Sequence, residues 1–300
     1  MYPRPSSRAD PVSLRKAAQP QANLGVISLG LRRTATIVLA LFAARGFAAA
    51  PPQLSAEQTK VLEAVRVAAL IYSHQLPDFI CTQTTYRSVF KGNRNSANAA
   101  NVNPRPDPVS RDTIEEQLTY VGGRESYTVL TVNHKKAKNA DHLQFAGAMS
   151  SGEFGTIFTN VFDPASNTVF TWEREMSHEG RPVWIFKYHV PKETGTALID
   201  QGTRTAIVAP YSGRVIIDPE NNNVLAISSS LEIPSSFPIQ KVERRIDYAV
   251  QKIAGKEYYL PIHSELHMEQ GVLVFDNRID FNNYHHFSSE STLHFGDEAK

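Results

Sequence analysis

From Asp78 onward, apolar and polar positions alternate in short runs separated by Gly-, Asn- and Pro-rich turns, the pattern of half-buried strands. The clearest unit is Tyr211 to Pro234. Val215, Ile216 and Ile217 make a β-branched run, Asp218-Pro219-Glu220-Asn221-Asn222-Asn223 reverses the chain, and Val224 to Ile227 begins the return. Pro219 cannot donate a hydrogen bond, and the asparagines tolerate left-handed backbone. Apolar residues on both sides of the first strand predict cover on both faces.

The same reading gives strands at Asp78–Phe90, at Thr113–Tyr120 and Ser126–Val132 around Gly122-Gly123, and at Thr168–Arg174 and Val183–Val190 around Ser177–Arg181. Beyond Val242, the residues Ile246, Tyr248 and Val250 alternate, Ala254-Gly255-Lys256 turns, and Tyr258–Met268 returns. After Glu269-Gln270-Gly271 come Gly271–Phe275, Arg278–Phe287 and Ser291–Phe295. With no alternation of strand and helix, these runs predict one antiparallel meander.

Two stretches change the period to that of a helix. In Ser55–Gln75, Ser55 and Gln58 form a capping box; Val61, Leu62, Val65, Ala68, Ala69 and Tyr72 line one stripe, and Pro77 ends the run. In Ser150–Phe162, Ser150 and Glu153 fit a second capping box. Phe154, Ile157, Phe158, Val161 and Phe162 then share a face before Asp163-Pro164. A helix with one apolar stripe packs on a sheet. The expected fold is therefore mainly β (α+β).

Aromatic residues concentrate where these elements meet. Phe170 and Trp172 share a face of one strand, and Trp184, Phe186 and Tyr188 share a face of the next. Paired in a hairpin, the five make one surface, either as filled core or as the lining of a groove for an apolar ligand.

Composition narrows the partners. The chain has 300 residues, 41% hydrophobic and 20% charged, with a net charge of +1, which gives no basis for nucleic-acid binding. The single cysteine, Cys81, excludes an intrachain disulfide and reads as a small buried side chain. Arg32-Arg33, the apolar run Thr34–Ala44 and the small residues Ala48-Ala49-Ala50 have the layout of a secretory signal. That run is shorter than the ~20 residues of a membrane span, so the mature chain is expected to carry no transmembrane anchor. The expectation is a leader over residues 1–48, a single β-rich domain over 49–300, and a periplasmic or secreted bacterial protein. Gly92–Pro108, rich in Asn and Pro, reads as a mobile loop within that domain.

No nucleophile elbow, phosphate-binding loop, dinucleotide fingerprint or zinc-protease motif is present. His263, Glu265 and His267 would share one face of a strand, with His285 or His286 as a further ligand from a neighbour; the alternative is a solvated sheet face. Asp218, Asp247, Glu265 and Asp280 lie on or near strands, but their separations are not encoded in the spacing. Asp218 before Pro219 reads as a turn residue. No catalytic residue, metal ligand or cofactor is assigned.

The leader, the long amphipathic helix, the run of antiparallel strands and the segment Gly213-Arg214-Val215-Ile216-Ile217-Asp218-Pro219 resemble the LolA/LolB-like lipoprotein-carrier superfamily. Ile233-Pro234 to Phe237-Pro238 and Val242 to Leu260-Pro261 are also similar to exported proteins of soil bacteria with this layout. The resemblance covers Leu54 to Phe295. It implies a single curved antiparallel sheet, an incomplete barrel, with Ser55–Gln75 and Ser150–Phe162 covering its concave apolar side, and acyl chains bound between them. The reading is then a non-enzymatic carrier or sensor of a lipid or other apolar small molecule, with Phe154, Ile157, Phe158, Phe162, Phe170, Trp172, Trp184 and Phe186 as ligand-binding residues. The alternatives are a cell-envelope interaction module with a filled core and a protein partner, and a metal-dependent hydrolase using His263, Glu265 and His267.

Overall fold

A computed structural model describes residues 53–92, 107–137, 152–200 and 202–287. The leader, most of the Asn/Pro-rich loop, Ser150 and the expected strand Ser291–Phe295 lie outside these residues.

Thirteen strands are formed among the described residues: β1 (Phe79–Lys91), β2 (Ser110–Val121), β3 (Arg124–Val132), β4 (Lys135–Lys136), β5 (Val169–His178), β6 (Arg181–Val190), β7 (Thr196–Asp200), β8 (Thr205–Ala209), β9 (Tyr211–Asp218), β10 (Asn223–Leu231), β11 (Ile239–Ile253), β12 (Lys256–Gln270) and β13 (Leu273–His286). Eleven of them make one open antiparallel sheet in the order β4-β3-β2-β1-β13-β12-β11-β10-β9-β6-β5. The first and last long strands are neighbours, and only β7 and β8 leave the meander, as a separate hairpin. Two-residue turns with positive φ at both positions close β2–β3 (Gly122, Gly123), β5–β6 (Glu179, Gly180) and β11–β12 (Ala254, Gly255), the twist that flanking strands favour.

Two corrections to the sequence reading stand out in the strands. Gly271–Phe275 and Arg278–Phe287 are parts of one strand, β13, because Asn277 continues the buried face between Phe275 and Ile279. The β7–β8 hairpin and the short β4 were not expected.

Helix α1 (Ala56–Gln75) carries the expected box: Ser55 Oγ accepts from the Gln58 N–H at 3.1 Å, and Gln58 Oε1 accepts from the Ser55 N–H at 2.9 Å. Helix α2 (Thr156–Phe162) is shorter than expected. Its N-cap is Gly155, with φ 129° and no side-chain cap, so the box proposed for Ser150 and Glu153 does not start it. Glu153 instead lies buried in the preceding turn.

Both helices lie on one face of the sheet, where the core forms three clusters. The first joins Leu62 and Val65 of α1 and Phe158 and Phe162 of α2 to Phe186, Val215, Ile217, Ile227 and Ile246. The second gathers Phe79, Leu118, Tyr120, Phe154, Ile279 and Phe281. The third, Ile239, Leu266, Met268 and Phe275, is packed by Leu198 and Ile207 of the β7–β8 hairpin. Each fully buried aliphatic or aromatic side chain here contributes about 1.5–3 kcal/mol.

Strand register explains how this face holds together. Ile114, Thr85, Ile279, Ser264, Ile246, Ile227, Val215 and Phe186 lie side by side on eight consecutive strands, and each is 0–2% exposed. One residue along each strand the side chains point the other way. There the corresponding row is Tyr86, Arg278, Glu265, Arg245, Ser228, Arg214, Lys187 and Thr171. The β9–β10 hairpin is accordingly buried on the helix face through Val215 and Ile217. On the other face Ile216 is half-buried beside Ile185 and Ala226.

Candidate functional site

The site begins with α2. Leaving the sheet, the chain turns through Gly152 and Gly155, both at positive φ, before seven helical residues bring Ile157, Phe158, Val161 and Phe162 down onto the sheet. At Gly155 a Cβ would sit 2.8 Å from Ser73 Cβ, so the absence of a side chain lets the turn abut α1. Asp163 ends α2, and its carboxylate accepts from the Ala165 N–H at 2.8 Å.

Seven of the eight expected ligand-binding residues meet in this layer. Phe162 stacks on Phe170 at 5.5 Å, Trp172 meets both Phe186 and Trp184 edge-on at 5.3 Å, and Phe158 touches Tyr72 at 4.9 Å. Ile157 is buried in the same cluster. Phe154 lies apart, in the second cluster, against Phe79 and Phe281. The innermost of these side chains are fully buried, whereas Phe170, Trp172 and Trp184 are partly exposed at the β5–β6 margin.

Tyrosine hydroxyls tie both helices to the sheet, a feature the sequence reading missed. Tyr72 of α1 donates to the Tyr259 carbonyl at 2.8 Å, and Tyr120 of β2 donates to the Ser73 carbonyl at 2.9 Å. Tyr248 of β11 reaches the Glu153 carbonyl at 2.9 Å, and Tyr211 of β9 the Asn160 carbonyl at 3.3 Å. Burial pushes the hydroxyls of Tyr72 and Tyr248 well above the ordinary tyrosine pKa and that of Tyr211 up to about 12, so all three stay neutral donors at physiological pH. Glu125 adds a charged tie. Its carboxylate accepts from the Gly152 and Phe154 N–H groups at 2.9 and 3.3 Å and from Tyr127 at 2.6 Å, beside a concavity of about 510 Å³ between α1, α2 and the β2–β3 turn.

The polar face carries the histidines. His263 and His267 share it with Glu265, as the spacing requires, but each imidazole Nδ1 faces an aspartate of β13: Asp280 at 2.8 Å and Asp276 at 2.6 Å. His285 and His286 lie opposite Ile80 and Phe79, beyond Asp280 in the register. Among the described residues no group of three or more His, Cys, Asp or Glu side chains is arranged to hold a metal. Asp218 is the turn residue expected, its Oδ1 accepting from the Glu220 and Asn221 N–H groups at 2.9 and 3.2 Å. Cys81 is buried, and burial raises its pKa far enough to keep the thiol protonated.

The same face holds an open trough of about 1180 Å³, floored by Ser212, Gly213 and Ser228–Ser230 and flanked by Arg214, Arg245 and His267. Its cations are paired: Arg214 with Glu173 at 2.7 Å, Arg245 with Asp247 at 2.6 Å. Arg278 lies over the Tyr86 ring at 4.5 Å. Among the described residues no helix is long and apolar enough to cross a membrane.

No family model and no curated protein sequence matches the chain. Among solved structures, it is similar to a LolA superfamily protein from Nitrosomonas europaea, with 8% identity over 74% of this chain and 92% of that chain and a TM-score of 0.36. It is also similar to a domain described as an outer membrane lipoprotein-sorting protein from Vibrio parahaemolyticus, with 8% identity over 74% and 89% of the two chains and a TM-score of 0.33. A DUF1329 family protein from Desulfovibrio piger is a further structural match, at 11% identity over 77% and 95% of the two chains and a TM-score of 0.33.

Proposed function

We propose that the protein is an exported, non-enzymatic carrier or sensor that holds a lipid or other apolar ligand between the helix face of its sheet and α1 and α2. The observation that carries this reading is the way α2 is attached. A seven-residue helix covers a continuous apolar floor, is entered through two glycines at positive φ, and is held by hydroxyl–carbonyl bonds and one carboxylate. Each neutral tie contributes about 1 kcal/mol, and the larger apolar contacts that Ile157, Phe158, Val161 and Phe162 would give up on lifting are replaced by contacts with the ligand's chain. An acyl chain taking the place of Phe158 and Phe162 would gain about 0.8 kcal/mol per buried CH₂.

Native mass spectrometry of protein purified from a bacterial periplasm without detergent tests the reading. Extra mass that ionises as lipid after denaturation is the expected result. A bare polypeptide that also fails to take up added lipid defeats it.

The trough on the opposite face favours a second reading, an envelope interaction module, because a polar concavity of about 1180 Å³ needs no movement of the helices to receive a partner. Retention of an envelope protein that is lost on charge reversal at Arg245, with no lipid bound, would favour this reading over the first.

A further inference from the structure

The buried row on the helix face of the sheet is apolar except at two places. Thr85 and Ser264 flank Ile279 on the adjacent strands β1, β13 and β12. They are 2% and 0% exposed, and neither hydroxyl has a hydrogen-bond partner. One step along β1, Gln83 is 1% exposed. Its Nε2 donates to Glu116 at 3.1 Å while its Oε1 is likewise unpartnered. Valine at 85 and alanine at 264 would preserve the shape of the row and remove the cost of burying the hydroxyls. These polar atoms also stand where the three apolar clusters meet, next to Ile246 of the first, Ile279 and Phe281 of the second, and Leu266 of the third.

We infer that Thr85, Ser264 and Gln83 form the head-group end of the ligand site and select an uncharged amphiphile whose head is a short polyol, such as a monoacylglycerol. The inference rests on the carrier reading and names its ligand class. Cross-strand neighbours lie about 5 Å apart, which sets Thr85 and Ser264 about 10 Å from each other across Ile279. After a hydrogen bond at each end, a glycerol-sized group spans what is left, with its acyl chain running under α2. A fatty acid fits worse, because its charged carboxylate would lose its hydration among the uncharged, fully buried side chains of Thr85, Ser264 and Gln83, a larger cost than burying a polyol that they can hydrogen-bond.

The test compares monolauroylglycerol with laurate by calorimetry on the purified protein at neutral pH, below their aggregation thresholds. The glycerol ester is expected to bind about tenfold tighter, the effect of a hydrogen bond to groups otherwise left unpaired. In the double variant Thr85→Val, Ser264→Ala, the preference should fall to about twofold or less while Tm rises, since unpaired buried hydroxyls are lost. Equal affinities in the unaltered protein overturn the inference and leave the carrier reading standing. A raised Tm with the preference intact also overturns it, assigning the hydroxyls to internal water only. Failure of both probes to bind overturns the carrier reading as well as this inference.

Discussion

Tyr188 crosses over Gly213 to donate its hydroxyl to the Ser228 carbonyl at 2.8 Å, so a single side chain of β6 spans β9 and bonds to β10. The crossing depends on glycine. A Cβ on Gly213 would overlap the Ser228 carbonyl oxygen and come within 2.8 Å of the tyrosine ring. This gives a physical reason for the glycine that opens the Gly213–Pro219 segment, on the floor of the trough.

Gly213→Ala should therefore destabilise the protein by about 3 kcal/mol, at the upper end for overpacking, because backbone stands in the way. Tyr188→Phe should cost only about 1 kcal/mol, the worth of one hydrogen bond. Chemical denaturation of both variants checks the ordering; equal costs would show that the ring, rather than the close approach, sets the requirement.

His267 gives a pH dependence with a definite sign. Its hydrogen bond to Asp276 raises its pKa above the ordinary imidazole value; Glu269 adds to this, while burial and Lys241 oppose it. A raised folded pKa stabilises the fold fully below the unfolded value of about 6.5, and that contribution disappears as pH rises through the folded pKa. His267→Gln should thus lower Tm more at about pH 5.5 than at about pH 8.5. NMR titration of the His267 ring checks the direction independently, and a midpoint below that of an unfolded peptide would contradict it.

Glu125 is predicted to control α2 without governing the sheet. Hydrogen bonds to a charged group contribute about 1.5–3 kcal/mol, and Glu125 makes two of them to the backbone just before the helix. Glu125→Ala should speed hydrogen exchange at Phe154 and through Thr156–Phe162 while the amides of β10 and β11 keep their protection. Loss of protection across all of these strands would mean that α2 and the sheet open as one unit.

Much of this architecture was legible in the sequence, for reasons that also mark where legibility ends. Strand period and turn chemistry are local, so the Gly122-Gly123 and Ala254-Gly255 hairpins and the Ser55 cap could be read directly. The β7–β8 hairpin escaped because Thr196–Asp200 and Thr205–Ala209 are short, half-exposed and joined by no strong turn pair. The start of α2 was misplaced because Ser150 and Glu153 match a capping box in spacing, while glycines at 152 and 155 keep the intervening backbone non-helical. Ser264 drew no reading from the sequence. Its place beside Ile279 and Ile246 depends on register between strands, which no single strand encodes. Likewise, the tie from Tyr72 to Tyr259 joins residues 187 positions apart.

The aromatic layer supplies its own reporter for the carrier reading. Trp172 and Trp184 are the chain's two tryptophans, and their rings lie 5.3 Å apart at the margin of the layer that α2 covers. A chain entering beside Phe162 and Phe170 must change their surroundings, so intrinsic fluorescence should shift on adding monolauroylglycerol. Phe158→Asp places a charge on the buried face of α2, whose desolvation cost of several kcal/mol drives that helix away from the floor. Since the sheet rows run through β-strand register and not through α2, far-ultraviolet dichroism should retain its β signature while the fluorescence response to ligand is lost. Retained uptake in this variant would remove α2 from the binding site. Complete loss of the β signature would instead identify Phe158 as structural core and favour the interaction module.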